Sequence, residues 1–275
     1  MCAERPLSLA FYLIIIREVY SVKRLEGKVA IVTGATSGIG KAQATVMAQE
    51  GARVVCGGRN RERLDETLSA IRGNGGEASG ITMDVTKNED CIALAELALK
   101  TYGKIDILCN TAGVFDFFKN TLDQTPEGWD DMLSIDVKGM FMMTKACLPA
   151  MLDQHAGVII NISSVAGLNA TDGGVAYVTA KHAVNGYTKQ LCIDHAAQGI
   201  RANSLCVGMC TSPLLESIFE NDPREREKVL GLIPCKFLGQ PEDVAYLSVF
   251  LGTDEARWIN GSIISIDGGQ NSKGC

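Results

Sequence analysis

The chain is 275 residues long with a formal net charge of −6 and no long run of Lys or Arg, which excludes a nucleic-acid surface, since phosphate binding needs clustered cations. Gly is frequent at 29 and Pro scarce at 7, a balance that suits alternating strands and helices with tight turns and excludes a disordered or fibrous chain. At this length and without a linker-like stretch, one α/β domain with a sizeable core is expected.

Residues 1–24 stand apart as an N-terminal extension. "LSLAFYLIII", Leu7 to Ile16, is apolar and flanked by Arg5 and Arg17, but a bilayer span needs about 20 such residues. No small-residue cleavage site follows it, and Glu4 and Glu18 do not suit a transit peptide. The expectation is a poorly ordered or surface-packed segment, no stable membrane span and a cytoplasmic protein. The ten cysteines are scattered through apolar runs, which reads as reduced core thiols and not a disulfide scaffold. Cys206 and Cys210 have no second Cys pair or nearby His, so no metal site is expected.

From Leu25 to the end (25–275) the chain alternates regularly. "KVAIVTG", "ARVVCGG", "GITMDV", "IDILCN", "GVIINISS", "RANSLCVG" and "GSIISIDGG" are apolar, β-branched runs, and helix-length stretches such as "RERLDETLSAIRG" lie between them. Strands apolar on both faces and joined by helices predict a single-domain, doubly wound, parallel seven-stranded sheet, a Rossmann fold with helices on both faces. In such a sheet ligands gather outside the carboxyl ends of the strands.

The first run ends in "TGATSGIG", Thr33 to Gly40, directly before a helix. Gly34, Gly38 and Gly40 let the backbone turn sharply and approach a pyrophosphate, while the helix start offers unpaired N–H groups to its charge. A dinucleotide site follows. Further along, "YVTAK" puts Tyr177 and Lys181 four residues apart, on one face of a helix.

The Gly-x-x-x-Gly-x-Gly spacing, taken with "YVTAK", "NTAG" (Asn110 to Gly113), "NISS" and the closing "IDGG", resembles the short-chain dehydrogenase/reductase family, including its 3-oxoacyl-carrier-protein reductase-like and hydroxysteroid dehydrogenase-like members. The resemblance runs from about Leu25 to Asn271. It implies an NAD(P)-dependent oxidoreductase that moves a hydride between nicotinamide and a carbonyl or secondary alcohol. The family's catalytic Ser, Tyr and Lys carry over onto Ser164, Tyr177 and Lys181, with the Ser-to-Tyr gap of 13 that the family usually shows. A free tyrosine has a pKa near 10, but an adjacent ammonium favours the phenolate. Tyr177 would then exchange a proton with the substrate oxygen while Ser164 steadies the developing charge.

The resemblance also implies the cofactor contacts. Ser37 and Ile39 belong to the Gly loop, Asp84 and Val85 flank the adenine, and Asn110, Ala112 and Gly113 line the ribose side. Tyr177 and Lys181 also contact the cofactor, and Gly208 with Ser212 reaches the nicotinamide carboxamide. After the second strand, "CGGRN" offers Arg59 and no carboxylate, which suits the 2′-phosphate of NADP; NAD is the second choice.

Three positions depart from the family pattern. Asp136 replaces the Asn that helps hold a water in a proton relay to the lysine, and it enters the catalytic set as a possible partner of Lys181. Val207 replaces a Pro, and Ser212 a Thr. Asp136 is also the one feature supporting an alternative of another class, a non-catalytic NADP(H)-binding sensor or scaffold. The segment "PLLESIFENDPREREKVLGLIPCKF", from Pro213 to Phe237, falls where the family keeps its substrate lid and suggests an apolar carbonyl or alcohol. The apolar helix "MFMMTKACLPAML", with the resemblance, predicts a homotetramer.

Overall fold

Seven runs become seven strands of one sheet, of which the five central ones are almost wholly buried. The computed structural model describes residues 23–170, 174–212, 215–216, 219–220 and 223–272; the leading extension, apart from Lys23 and Arg24, lies outside the described residues. The strands are β1 (Val29–Thr33), β2 (Arg53–Gly58), β3 (Glu77–Thr82), β4 (Ile107–Asn110), β5 (Gly157–Ser164), β6 (Ile200–Val207) and β7 (Ile263–Ile266). They pair in the order β3-β2-β1-β4-β5-β6-β7, every pairing parallel. The helices are α1 (Gly38–Gln49), α2 (Arg61–Gly73), α3 (Asn88–Tyr102), α4 (Pro126–Leu133), α5 (Met140–Asp153), α6 (Val175–His195), α7 (Pro223–Leu232) and α8 (Pro241–Gly252).

Strand side chains alternate between faces, and β1 shows where they go. Ala30 and Val32 join the layer of α1, α2 and α8, with Met47, Leu64 and Val249. Val29 and Ile31 join the layer of α3, α5 and α6, with Leu94, Met143 and Leu191. A fully buried side chain of the size of Ile31 or Met143 contributes about 1.5–3 kcal/mol.

One boundary differs from the sequence reading. The run "GITMDV" suggests a third strand over 80–85, but β3 spans Glu77–Thr82, and Met83 to Val85 lie past its end. β3 is an edge strand, so it carries exposed polar residues that an apolar-run criterion discards. Among the described residues, no helix is long and apolar enough to cross a membrane, and no group of three or more His, Cys, Asp or Glu is placed to hold a metal ion. Cys56, Cys91, Cys109, Cys147 and Cys206 are free and buried; burial pushes the Cys56 thiol up to about 12.

Chain order reverses between β1, which leads to β2 and β3 on one side, and β4 on the other. The diverging connections leave a crevice at that point. Thr33, the last residue of β1, holds it in shape: its hydroxyl donates to the Cys109 carbonyl at 3.3 Å and accepts from the Thr111 and Ala112 amides at 3.0 and 3.1 Å.

Candidate active site

A groove of about 460 Å³ occupies this crevice. Its floor is the Gly loop, where Gly34 (φ +68) and Gly38 (φ +49) adopt left-handed conformations that disfavour other residues. At Gly40 the demand is for space, since an added Cβ would lie 2.3 Å from the Gly34 carbonyl oxygen. A Cβ at Gly58 would lie 2.4 Å from Thr36 Cγ2. Tight glycine turns that lead into the N-terminus of a 12-residue helix form a cradle suited to a pyrophosphate. A dinucleotide therefore fits the residues present.

The sequence-predicted residues Ser37, Ile39, Arg59, Asp84, Val85, Ala112 and Gly113 also line this groove. The Asp84 carboxyl is held below its usual range, chiefly by the Thr86 amide, with Arg59 and Lys87 adding to the effect against desolvation. Arg63 lines the groove as well, a second cation that the sequence reading missed. Asn60 caps α2 by accepting from the Arg63 amide at 2.9 Å, which returns Arg63 to the side of Arg59 one turn later. An Arg-Asn-x-x-Arg pattern at a helix start was the available signal.

Three expected contacts lie elsewhere. Asn110 ends β4 with its amide turned into the sheet, where it donates to Thr144 Oγ1 at 3.0 Å and Asn161 Oδ1 at 2.9 Å. Its side chain links strand to helix and does not line the groove, because the β4–β5 pairing puts Asn161 opposite it. Gly208 borders a cavity of about 260 Å³ beside Asp267. Ser212 borders one of about 1020 Å³ that shares Gly38 with the groove, and its hydroxyl accepts from the Leu215 amide at 3.2 Å. Residues 213–214, 217–218 and 221–222 of the expected lid lie outside the described residues.

The catalytic candidates gather around α6. Tyr177 and Lys181 share one face of it, with Lys181 Nζ 5.4 Å from the Tyr177 ring centre. Ser164 closes β5, and its hydroxyl oxygen accepts from the Ala166 amide at 3.1 Å. That contact fixes the oxygen and leaves the hydroxyl proton to donate. Neighbours that the sequence reading did not single out bring α6 close. Ser163 donates to the Lys181 carbonyl at 3.1 Å, and Asn185 donates to the Gly167 carbonyl at 2.8 Å while accepting from Ser204 at 2.7 Å. Gly167 makes the approach possible, because a Cβ there would lie 2.5 Å from Ser163 Oγ and 2.7 Å from the Lys181 carbonyl oxygen.

Asp136 sits in a π-helical segment, Ser134–Gly139, between α4 and α5, a local widening often found at functional sites. Its Oδ2 lies 2.9 Å from Lys181 Nζ, with both side chains buried. Its Oδ1 accepts from the Val114 amide at 2.9 Å. Lys181 also donates to the Ile162 carbonyl at 3.1 Å. Burial lowers the Lys181 pKa, but the Asp136 carboxylate and then Tyr177 outweigh it, and the net shift is upward.

A doubly wound sheet with a glycine cradle at its switch point, and a Ser, Tyr and Lys on the adjoining strand end and helix, define a dehydrogenase-like site. The short chain dehydrogenase family model matches residues 28–223, and the chain belongs to that family. It is 37% identical over 247 residues to 3-oxoacyl-[acyl-carrier-protein] reductase FabG of Thermotoga maritima, covering 90% of this chain and 98% of that one. It is 36% identical over 249 residues to human dehydrogenase/reductase SDR family member 4, covering 90% and 89%. To cyclohexanol dehydrogenase of Acinetobacter sp. strain SE19 it is 34% identical over 250 residues, covering 91% and 97%. The crystal structure of gox2181 superposes with a TM-score of 0.87 at 31% identity, covering 91% of this chain and 98% of that one.

Proposed function

We propose that the protein reduces carbonyl compounds, or oxidises the matching secondary alcohols, with NADP(H), and that Ser164, Tyr177 and Lys181 carry the chemistry. The carrying observation is the placement of Tyr177 and Lys181 on one face of α6 with Nζ 5.4 Å from the ring. A nicotinamide dinucleotide bound in the groove supplies or accepts the hydride. Tyr177 gives its phenolic proton to the substrate oxygen, or takes one from the alcohol in reverse. Ser164 donates its remaining proton to the same oxygen as charge builds there. Lys181 favours the phenolate by its charge, and Asp136 holds the ammonium in place.

Arg59 and Arg63 support NADP over NAD, since two cations beside the ribose end of the groove match a phosphate. In this reading Gly34, Gly38 and Gly40 receive the pyrophosphate, Asp84 and Val85 the adenine, and Ala112 and Gly113 the ribose. A homotetramer in the cytoplasm completes the reading.

The Asp136–Lys181 pair also favours a second reading, a cofactor-binding sensor or scaffold without turnover, because the carboxylate offsets the charge that Tyr177 needs. Oxidation of NADPH with a panel of neutral ketones separates the two. Turnover that disappears in Tyr177→Phe, with NADPH binding retained, supports the enzyme; tight NADPH binding without turnover of any ketone supports the sensor.

A further inference from the structure

Helix α6 carries Tyr177 at its third position but does not cap itself. Its N-cap is Gly174, left-handed at φ +80 and without a side chain to accept from the first turn. The missing acceptors come from the loop after β4. The Lys119 carbonyl accepts from the Gly174 and Val175 amides at 3.0 and 3.1 Å. Asp116 Oδ2 accepts from the Tyr177 amide itself at 3.1 Å. Asp116 is only 7% exposed, so its carboxyl is held inside at the positive end of the helix that presents the tyrosine.

The same loop carries three phenylalanines. Phe115 meets the Tyr177 ring edge to face at 5.0 Å between centres, and it is itself braced by Phe118 at 4.8 Å and Phe117 at 5.9 Å. Phe117 and Phe118 have φ of +55 and +60, a conformation that costs a bulky residue on the order of 1 kcal/mol. They are nevertheless 67% and 53% exposed. Strain without burial is poorly explained by folding, and it sits beside the residue proposed to meet the substrate.

We propose that residues 115–119 form the substrate-selecting element of the site: Asp116 and Lys119 fasten the loop to the catalytic helix, and Phe115, Phe117 and Phe118 offer an aromatic wall beside Tyr177 to an uncharged carbonyl compound with an apolar ring or chain. This rests on the carbonyl-reductase reading above. Lys181 is already engaged by Asp136 and the Ile162 carbonyl, and Asp116 Oδ2 by the helix amide. A substrate carboxylate would meet the Asp116 carboxylate, and the Lys181 ammonium is already paired with one. Asp116 is accordingly a positioning residue that acts through Tyr177.

The test compares wild type with Phe117→Ser/Phe118→Ser, Asp116→Ala and Asp116→Asn, using cyclohexanone and acetoacetate as neutral and anionic probes with NADPH. Wild type should favour cyclohexanone. The double variant, whose changed side chains are exposed, should lower the cyclohexanone-to-acetoacetate ratio of kcat/KM about tenfold, through KM. Asp116→Ala should lower kcat about tenfold on both probes with smaller changes in KM, and Asp116→Asn should recover most of it, since its amide oxygen still accepts from the Tyr177 amide. A ratio unmoved in a folded double variant overturns the inference, and if the assembly mass falls at the same time the phenylalanines belong to an interface between copies. Asp116→Asn no better than Asp116→Ala removes the positioning role. Reduction of acetoacetate alone by wild type overturns the substrate class while sparing the enzyme reading; reduction of neither, with NADPH bound, overturns both.

Discussion

Replacing Asp136 by Asn removes the carboxylate beside Lys181 and leaves an isosteric amide that can still accept from Val114, as Oδ1 now does at 2.9 Å. In the native protein the folded pKa of Lys181 lies above its ordinary 10.5. The stability this contributes is fully present below 10.5 and is lost as pH rises through the folded value. Without the carboxylate the burial effect dominates and the folded value falls below 10.5, so the unfolded variant binds more protons and its stability rises with pH up to that point. Breaking a buried pair costs about 3–5 kcal/mol. The loss at pH 7 is capped near 5 kcal/mol, because Lys181 can shed its proton at about 1.4 kcal/mol for each pH unit below 10.5. Thermal unfolding of both proteins from pH 7 to 10 is the assay. Wild type should lead by on the order of 10 °C at pH 7, with the gap closing toward pH 10. A gap below about 1 kcal/mol, or one constant across the series, would refute the reasoning. The pH profile of kcat/KM should move as well, since the ammonium would no longer be offset at Tyr177.

Arg59→Ala should weaken NADPH binding by about 1.5–3 kcal/mol and NADH far less; fluorescence titrations giving equal losses would withdraw the NADP assignment. Phe141 on α5 and Ile193 on α6 are 44% and 79% exposed, so light scattering at micromolar concentration should give the mass of four chains, and a monomeric mass would contradict the tetramer. Gly167→Ala should lower kcat at least tenfold with NADPH affinity nearly kept, because its Cβ needs the space of Ser163 Oγ and the Lys181 carbonyl; unchanged turnover would show that α6 tolerates displacement.

The sheet was legible because a buried parallel strand must be apolar on both faces, and β1, β2 and β4 to β6 announce themselves that way. β3 was misplaced by three residues at each end, since an edge strand escapes that requirement. Tyr177 and Lys181 could be paired from spacing alone because one helix holds both. Asp136 could be named as a partner for Lys181 through the family pattern, but its 2.9 Å contact required the π segment. Asp116 was not legible, as it meets Tyr177 across 61 positions of sequence and nothing local marks a carboxylate as a cap for another element. Gly167 looked like any turn glycine until the packing of α6 showed what a Cβ would strike. Asn110 was read toward the groove from its motif, whereas the register of β4 against β5 turns its amide inward.

The position of Asp136 also determines what Lys181 has left to offer. An ammonium has three N–H donors; among the described residues the Ile162 carbonyl accepts one, and Asp136 Oδ2 is paired with the ammonium at 2.9 Å. A neutral Asn at position 136 would leave the ammonium's charge without an offset beside Tyr177, whose ring centre lies 5.4 Å from Nζ, and a nearby opposite charge favours the phenolate. A carboxylate 2.9 Å from the ammonium offsets part of that charge. What remains is a lysine whose pKa is raised above its ordinary value by the carboxylate beside it. Asp136 thus exchanges some activation of Tyr177 for a firmer hold of the proton on Lys181.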